Sequence, residues 1–123
     1  DYTMICAGVF DDMVATLVLE NKEAILERNR QIVEENLALM DAWIAKEPKA
    51  SWIRPDSVST SFVKLDVNRP IEDFALELLQ EYGVLVVPGN RFDKESHVRI
   101  GYCCDKEVLQ KGLEKLSQFL NKC

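Results

Sequence analysis

Two short strand-forming runs separated by a Pro-Gly turn constrain this chain more than any other feature. Residues 83–103 read GVLVVPGNRFDKESHVRIGYC. Val84 to Val87 are wholly apolar, the pattern of a central strand covered on both faces. Pro88-Gly89 turns the chain, and a polar loop leads into a second run, His97 to Cys103. There the alternation sends Val98, Ile100 and Tyr102 to one face, and His97, Arg99, Gly101 and Cys103 to the other. A further strand is predicted over residues 60–67, TSFVKLDV, with Val63, Leu65 and Val67 facing one way and Lys64 and Asp66 the other. Three such strands expose an apolar face that helices must cover.

The rest of the sequence supplies those helices. Residues 1–8 read as an irregular lead-in. Asp11 or Asp12 can cap a first helix carrying Met13, Val14, Leu17 and Val18 on one side, and Asn21 marks a break or bend. From Lys22 to about Lys46, Ile25, Ile32, Val33, Leu37, Met40 and Ile44 recur at helical spacing among Glu, Arg and Asn. This helix is long for one small domain and is expected to lie across the sheet and reach beyond it. Pro48 and Pro55 bracket a predicted loop, KEPKASWIRPDSVST, around Trp52. Pro70 fits the first turn of a third helix, which presents Phe74, Leu78 and Tyr82 and stops at Gly83. Asp105 is placed to cap a last helix with Leu109, Leu113, Leu116 and Leu120 on one face. The expected fold is α+β, a three-stranded, mainly antiparallel sheet with helices packed on one face, preceded by a long helix.

At 123 residues the chain is one domain with a single core. A net charge of −6 argues against a nucleic-acid partner, which needs clustered Lys and Arg on one face. No apolar run is long enough for a membrane span, and no signal peptide is recognisable, so a cytoplasmic protein is expected. The chain opens on Asp1, which suggests processing, trimming or excision from something larger. Cys6, Cys103, Cys104 and Cys123 have neither disulfide-framework nor zinc-ligand spacing and read as reduced thiols. No metal site is expected, and His97 reads as a surface strand residue.

Arg99 is the residue that calls for explanation. A guanidinium is costly to bury without a partner, and here it stands mid-strand between Val98 and Ile100. One reading puts it on a solvated sheet face or beside an internal acid. The other makes it an anion site, with Gly101 leaving room on the same face for a carboxylate that takes two parallel hydrogen bonds. The pattern alone leaves both open.

GVLVVPGNRF followed by HVRIGYC resembles the C-terminal segment of the class I and II aminotransferases, the fold-type-I enzymes that use pyridoxal phosphate. Gly83, Val84, Pro88, Gly89, Phe92, Arg99, Ile100 and Gly101 carry the match. Upstream, DYTMICAGVFDDMVATLVLENKEAILERNRQIVEENL is similar to that family's bridging region, with a Tyr-Thr opening and an Asn-Arg pair at Asn29 and Arg30. SWIRPDSVSTSFVKL is similar to its Trp-x-x-Pro segment before the first small-domain strand. The likeness runs through nearly the whole chain in the family's order.

The resemblance implies that residues 1–20 come from the large-domain and interface side, and that residues 21–123 form the small C-terminal domain. It implies that Arg99 binds the α-carboxylate of an amino-acid or 2-oxo-acid substrate, with Gly89, Asn90 and Phe92 as a possible pocket loop. Arg54, Arg69 and Arg91 have no such counterpart and are expected to be surface charges. The family's Schiff-base lysine, and its residues for the pyridine nitrogen and the phosphate, belong to a segment before this one. No catalytic residue is therefore expected in this chain, and no pyridoxal phosphate bound to it alone. In the complete enzyme the cofactor, the large domain of the same protein and a homodimer are implied. Asp56-Ser57-Val58 departs from a Gly-rich pair common in relatives. A free-standing α+β module that senses an amino acid through Arg99 is the competing function.

Overall fold

A computed structural model describes residues 8–56 and 58–123. The expected lead-in, apart from Gly8, lies outside the described residues, as do Cys6 and Ser57. The chain divides into two compact units, Asp1–Gln31 and Ile32–Cys123.

The first unit holds helix α1, Val9–Glu20, and the start of helix α2, Lys22–Lys46. The first helix begins before the acids expected to cap it. Extended Gly8 is the cap residue, and its carbonyl accepts the Asp12 N–H at 3.0 Å. Asp11 and Asp12 instead sit in the first turn, where their charge complements the helix dipole. Asn21 ends α1 as expected, its Nδ2 donating to the Leu17 carbonyl at 2.8 Å. No residue of α1 is buried, and Phe10, Met13, Val14 and Leu17 are all more than half exposed.

The second unit contains the rest of α2 and then β1 (Ala50–Trp52), β2 (Thr60–Leu65), α3 (Ile71–Tyr82), β3 (Val87–Pro88), a 3-10 helix (Gly89–Phe92), β4 (His97–Gly101) and α4 (Lys106–Lys122). The sheet is antiparallel throughout, in the order β1-β2-β4-β3. It has four strands rather than three. Strand β1 lies within the stretch expected to be a loop and pairs Ala50 with Leu65 and Trp52 with Val63.

The apolar run Val84–Val87 is not the central strand its composition suggested. Only Val87 and Pro88 pair, at the sheet edge, and Leu85 is 76% exposed while Val86 is buried. Strand β4 takes the central place, between β2 and β3. Proline fits the edge because it lacks the N–H that an inner strand must donate.

The core lies on one face of the sheet, as expected. Val63, Leu65, Val98, Ile100 and Tyr102 meet Leu37 and Met40 of α2, Phe74 and Leu78 of α3, and Leu113, Leu116 and Leu120 of α4. Pro70 precedes α3 as its cap residue, and Gly83 ends it in the left-handed conformation, φ 66°, which glycine adopts without steric penalty. Asp105 occupies the cap position of α4. No helix among the described residues is long and apolar enough to cross a membrane.

A buried amide joins α2 to the end of β4. Asn36 is 2% exposed, and its Nδ2 donates to the carbonyls of Tyr102 at 2.6 Å and Cys104 at 2.7 Å. Asn36→Ala leaves both acceptors without this donor. It is expected to lower the unfolding free energy by about 1–3 kcal/mol, read as a lower urea midpoint at unchanged slope. A midpoint equal to wild type would contradict that role. The bare apolar side of α1 is expected to make the isolated chain self-associate. Light scattering checks this: mass should rise with concentration and fall back toward monomer in a Met13→Glu, Leu17→Glu variant.

Candidate functional site

The face of the sheet opposite the core carries the site. Because Val98 and Ile100 are buried, β4 must turn Arg99 outward, and the side chain is exposed. Across the ladders its partners are Phe62 of β2 and Val87 of β3. Gly89 begins the 3-10 helix that carries Phe92 over this face, and the Arg99 Cζ lies 5.3 Å from the Phe92 ring centroid. The Phe62 ring meets Phe92 edge-on, at 6.0 Å and 89°, and stacks on His97 at 5.0 Å and 20°. Thr60, Ser61, Phe62, Phe92 and Arg99 line an open concavity of about 310 Å³.

The electrostatics separate Arg99 from the other arginines of the second unit. Arg54 Nε contacts Asp41 at 2.6 Å, Arg69 contacts Glu77 at 2.5 Å, and Arg91 pairs with Glu72. These pairs hold the Arg54 and Arg69 guanidiniums above their ordinary range, chiefly through the hydrogen bond to the acid. Among the described residues Arg99 makes no salt bridge. Two acids that flank the loop, Glu72 and Glu95, are already engaged. Glu72 takes both Arg91 and the Asn90 amide, and Glu95 Oε1 accepts the Ile71 N–H at 2.9 Å. A charge with all its donors available, over an open concavity, suits a small carboxylate.

The loop residues expected at the pocket separate into two groups. Phe92 lines the concavity. Asn90 turns toward α3, its Nδ2 donating to Glu72 at 2.9 Å and its Oδ1 buried without a partner. Gly89 is a packing requirement: a Cβ there would stand 2.2 Å from the Lys94 carbonyl oxygen and 2.6 Å from that of His97. Gly101 does not line the concavity, and a Cβ on it would meet nothing within 4 Å. The room beside Arg99 lies instead toward Thr60 and Phe92.

Phe62 is the site residue the sequence reading passed over. Its signal was the parity of β2, which puts it on the side of Lys64, opposite Val63 and Leu65. A second concavity of about 320 Å³ runs between the α3–β3 connection and α4, past Leu85, Ile100 and Val108. Its lining is mainly apolar, with Lys111 and Lys115 among it. Burial, then the Asp105 charge, pushes the Cys104 thiol beside it up.

The described residues beside Arg99 do not by themselves fit a pyridoxal phosphate site. Such a cofactor needs a desolvated lysine at its reactive carbon, and no lysine lines the concavity beside Arg99. Lys49 Nζ donates to the Leu120 and Cys123 carbonyls at 2.8 and 2.6 Å, Lys115 to the Tyr82 carbonyl at 3.0 Å, and Lys64 is exposed near the other end of the sheet face. Gly89→Ala is expected to lower stability by about 1–3 kcal/mol through overpacking and to move Phe92. Thermal unfolding checks the first part, and a wild-type midpoint would show that the loop accommodates the methyl freely.

Residues 4–116 match the family described as aminotransferase class I and II. Capreomycidine synthase of Streptomyces vinaceus is 27% identical over 121 residues, covering 98% of this chain and 31% of that protein. A probable N-acetyl-LL-diaminopimelate aminotransferase of Bacillus subtilis is 27% identical over 130 residues, covering 98% and 31%. The crystal structure of a PLP-dependent aminotransferase from Streptococcus suis superimposes with a TM-score of 0.96 at 65% identity, covering 99% of this chain and 33% of that one. The chain spans about a third of the length of these relatives.

Proposed function

The chain belongs to the class I and II aminotransferase family, and on that premise we propose that it is the C-terminal small domain of a pyridoxal-phosphate-dependent aminotransferase. The reaction is transfer of an amino group between an amino acid and a 2-oxo acid. Arg99 binds the α-carboxylate of both. The observation that supports the assignment is a guanidinium on the open sheet face that makes no salt bridge among the described residues, beside a concavity whose described lining contains no acid.

In this reading residues 21–123 are the small domain, and residues 1–20 belong to the large-domain and interface side. The partners are the large domain of the same protein and a second copy in a homodimer. The cofactor is held by large-domain residues and supplies the electron sink for the chemistry. This chain contributes orientation. Two parallel N–H donors fix the carboxylate plane, and with it the direction of the Cα–H bond, so that a proton-accepting group outside this chain meets it correctly placed. Holding reacting groups in this way removes several kcal/mol from a barrier. The isolated chain binds no cofactor and does not catalyse. Free Cys103, Cys104 and Cys123 support a reducing, cytoplasmic setting.

Two measurements test this. In the full-length enzyme, Arg99→Ala is expected to lower kcat/KM by about two orders of magnitude, the scale of a lost charge-assisted pair. Arg99→Lys should recover only part of that, since a point charge cannot donate as a fork. Unchanged kinetics in Arg99→Ala would exclude the clamp. The 123-residue chain mixed with pyridoxal phosphate should retain no cofactor absorbance after gel filtration. Stoichiometric retention with turnover would contradict the assignment of the chemistry to the large domain.

A further inference from the structure

We propose that Phe92 is a positioning residue for Arg99, buttressed by the Phe62–His97 stack, so that aromatic faces rather than an acid orient the guanidinium. The inference rests on the reading of Arg99 as a carboxylate clamp.

An arginine meant to bind a carboxylate meets a conflict. A neighbouring acid would orient it, but would also neutralise it and occupy the N–H edge the ligand needs. An aromatic ring avoids the conflict. It attracts the flat face of the guanidinium through its quadrupole and leaves the in-plane N–H donors to point outward. Here the Arg99 Cζ stands over the Phe92 ring, 5.3 Å from its centroid.

Phe92 is itself held by other residues. Phe62, directly across the ladder from Arg99, meets the Phe92 ring edge-on at 6.0 Å. Phe62 in turn stacks on His97 at 5.0 Å, and His97 Nδ1 lies 3.0 Å from the Glu95 carbonyl oxygen. The chain of rings thus starts at an anchored imidazole and ends at the guanidinium. Phe92 remains 46% exposed, so core packing does not account for a phenyl ring at this position. Its contacts are with the site.

The experiment has two arms. In the 123-residue chain, the Arg99 Nε–Hε resonance is followed by NMR in wild type, Phe92→Leu, Phe92→Tyr and Phe62→Leu. The wild-type Hε is expected upfield of a free arginine because of the Phe92 ring current. Phe92→Leu should return it to the free position, Phe92→Tyr should restore the shift, and Phe62→Leu should reduce it. Thermal midpoints should stay close to wild type, which separates positioning from a structural role. A wild-type Hε at the free-arginine position, or one unmoved by Phe92→Leu, overturns the proposal. So does a Phe92→Leu chain that is strongly destabilised while Phe62→Leu leaves the shift intact.

In the second arm, pyruvate binding to the full-length enzyme is expected to weaken about two- to fivefold in Phe92→Leu, the range for an exposed cation–π contact, and to recover in Phe92→Tyr. Equal affinity in Phe92→Leu and wild type overturns the positioning role. Unchanged affinity in Arg99→Ala identifies a different failure, that of the clamp reading itself.

Discussion

Strand β4 has only one register available to it. Val98, Ile100 and Tyr102 are buried in the core, and Tyr102 is fixed at several points. Its N–H donates to the Ser59 carbonyl at 3.0 Å, its hydroxyl bonds to the Val58 carbonyl, and its own carbonyl accepts from Asn36 at 2.6 Å. A slip of one residue would drive the Arg99 guanidinium into a core of leucine and phenylalanine and strand it without a partner. The apolar side of the strand therefore decides where the charge on the other side must stand. Helices α2, α3 and α4 cover one face of the sheet, and Arg99 is presented on the opposite face.

What leaves that charge without an acid beside it is the disposition of the carboxylates among the described residues. The chain has more carboxylates than cations, 21 against 15, yet none of those around the loop reaches Arg99. Glu72 is held by Arg91 and Asn90, and Glu95 caps the start of α3. The guanidinium is left beside a phenyl ring, and Arg99 lines an open concavity. The chain spans about a third of the length of the relatives it matches, and in the proposed reading the reactive groups come from outside it.

The sequence made some of this readable and hid the rest, for physical reasons. The helices α2 to α4 were legible because each has enough turns to show its apolar stripe, and the outward face of Arg99 followed from strict alternation in β4. Strand β1 was not, since three residues, Ala50–Trp52, cannot display a period. The run Val84–Val87 was misread because composition reports apolarity but not pairing, and here α3, α4 and the edge of β4 set its place. Parity alone could have put Phe62 on the site face. Which arginines are paired was not legible: Arg54 finds Asp41, and Arg91 finds Glu72, through folded contacts between distant residues, so the lack of a salt bridge at Arg99 among the described residues emerges only in three dimensions.

The most direct test of the Arg99 clamp is a cycle that changes charge on both sides of the contact. Binding of a 2-oxo acid and of its uncharged carboxamide would be measured by calorimetry in the full-length enzyme and in its Arg99→Gln variant. The expected result is a strong preference for the carboxylate in wild type that collapses in Arg99→Gln, with the amide binding nearly equally to both. A carboxylate preference of the same size in the two proteins would contradict it and place the anion-binding group elsewhere.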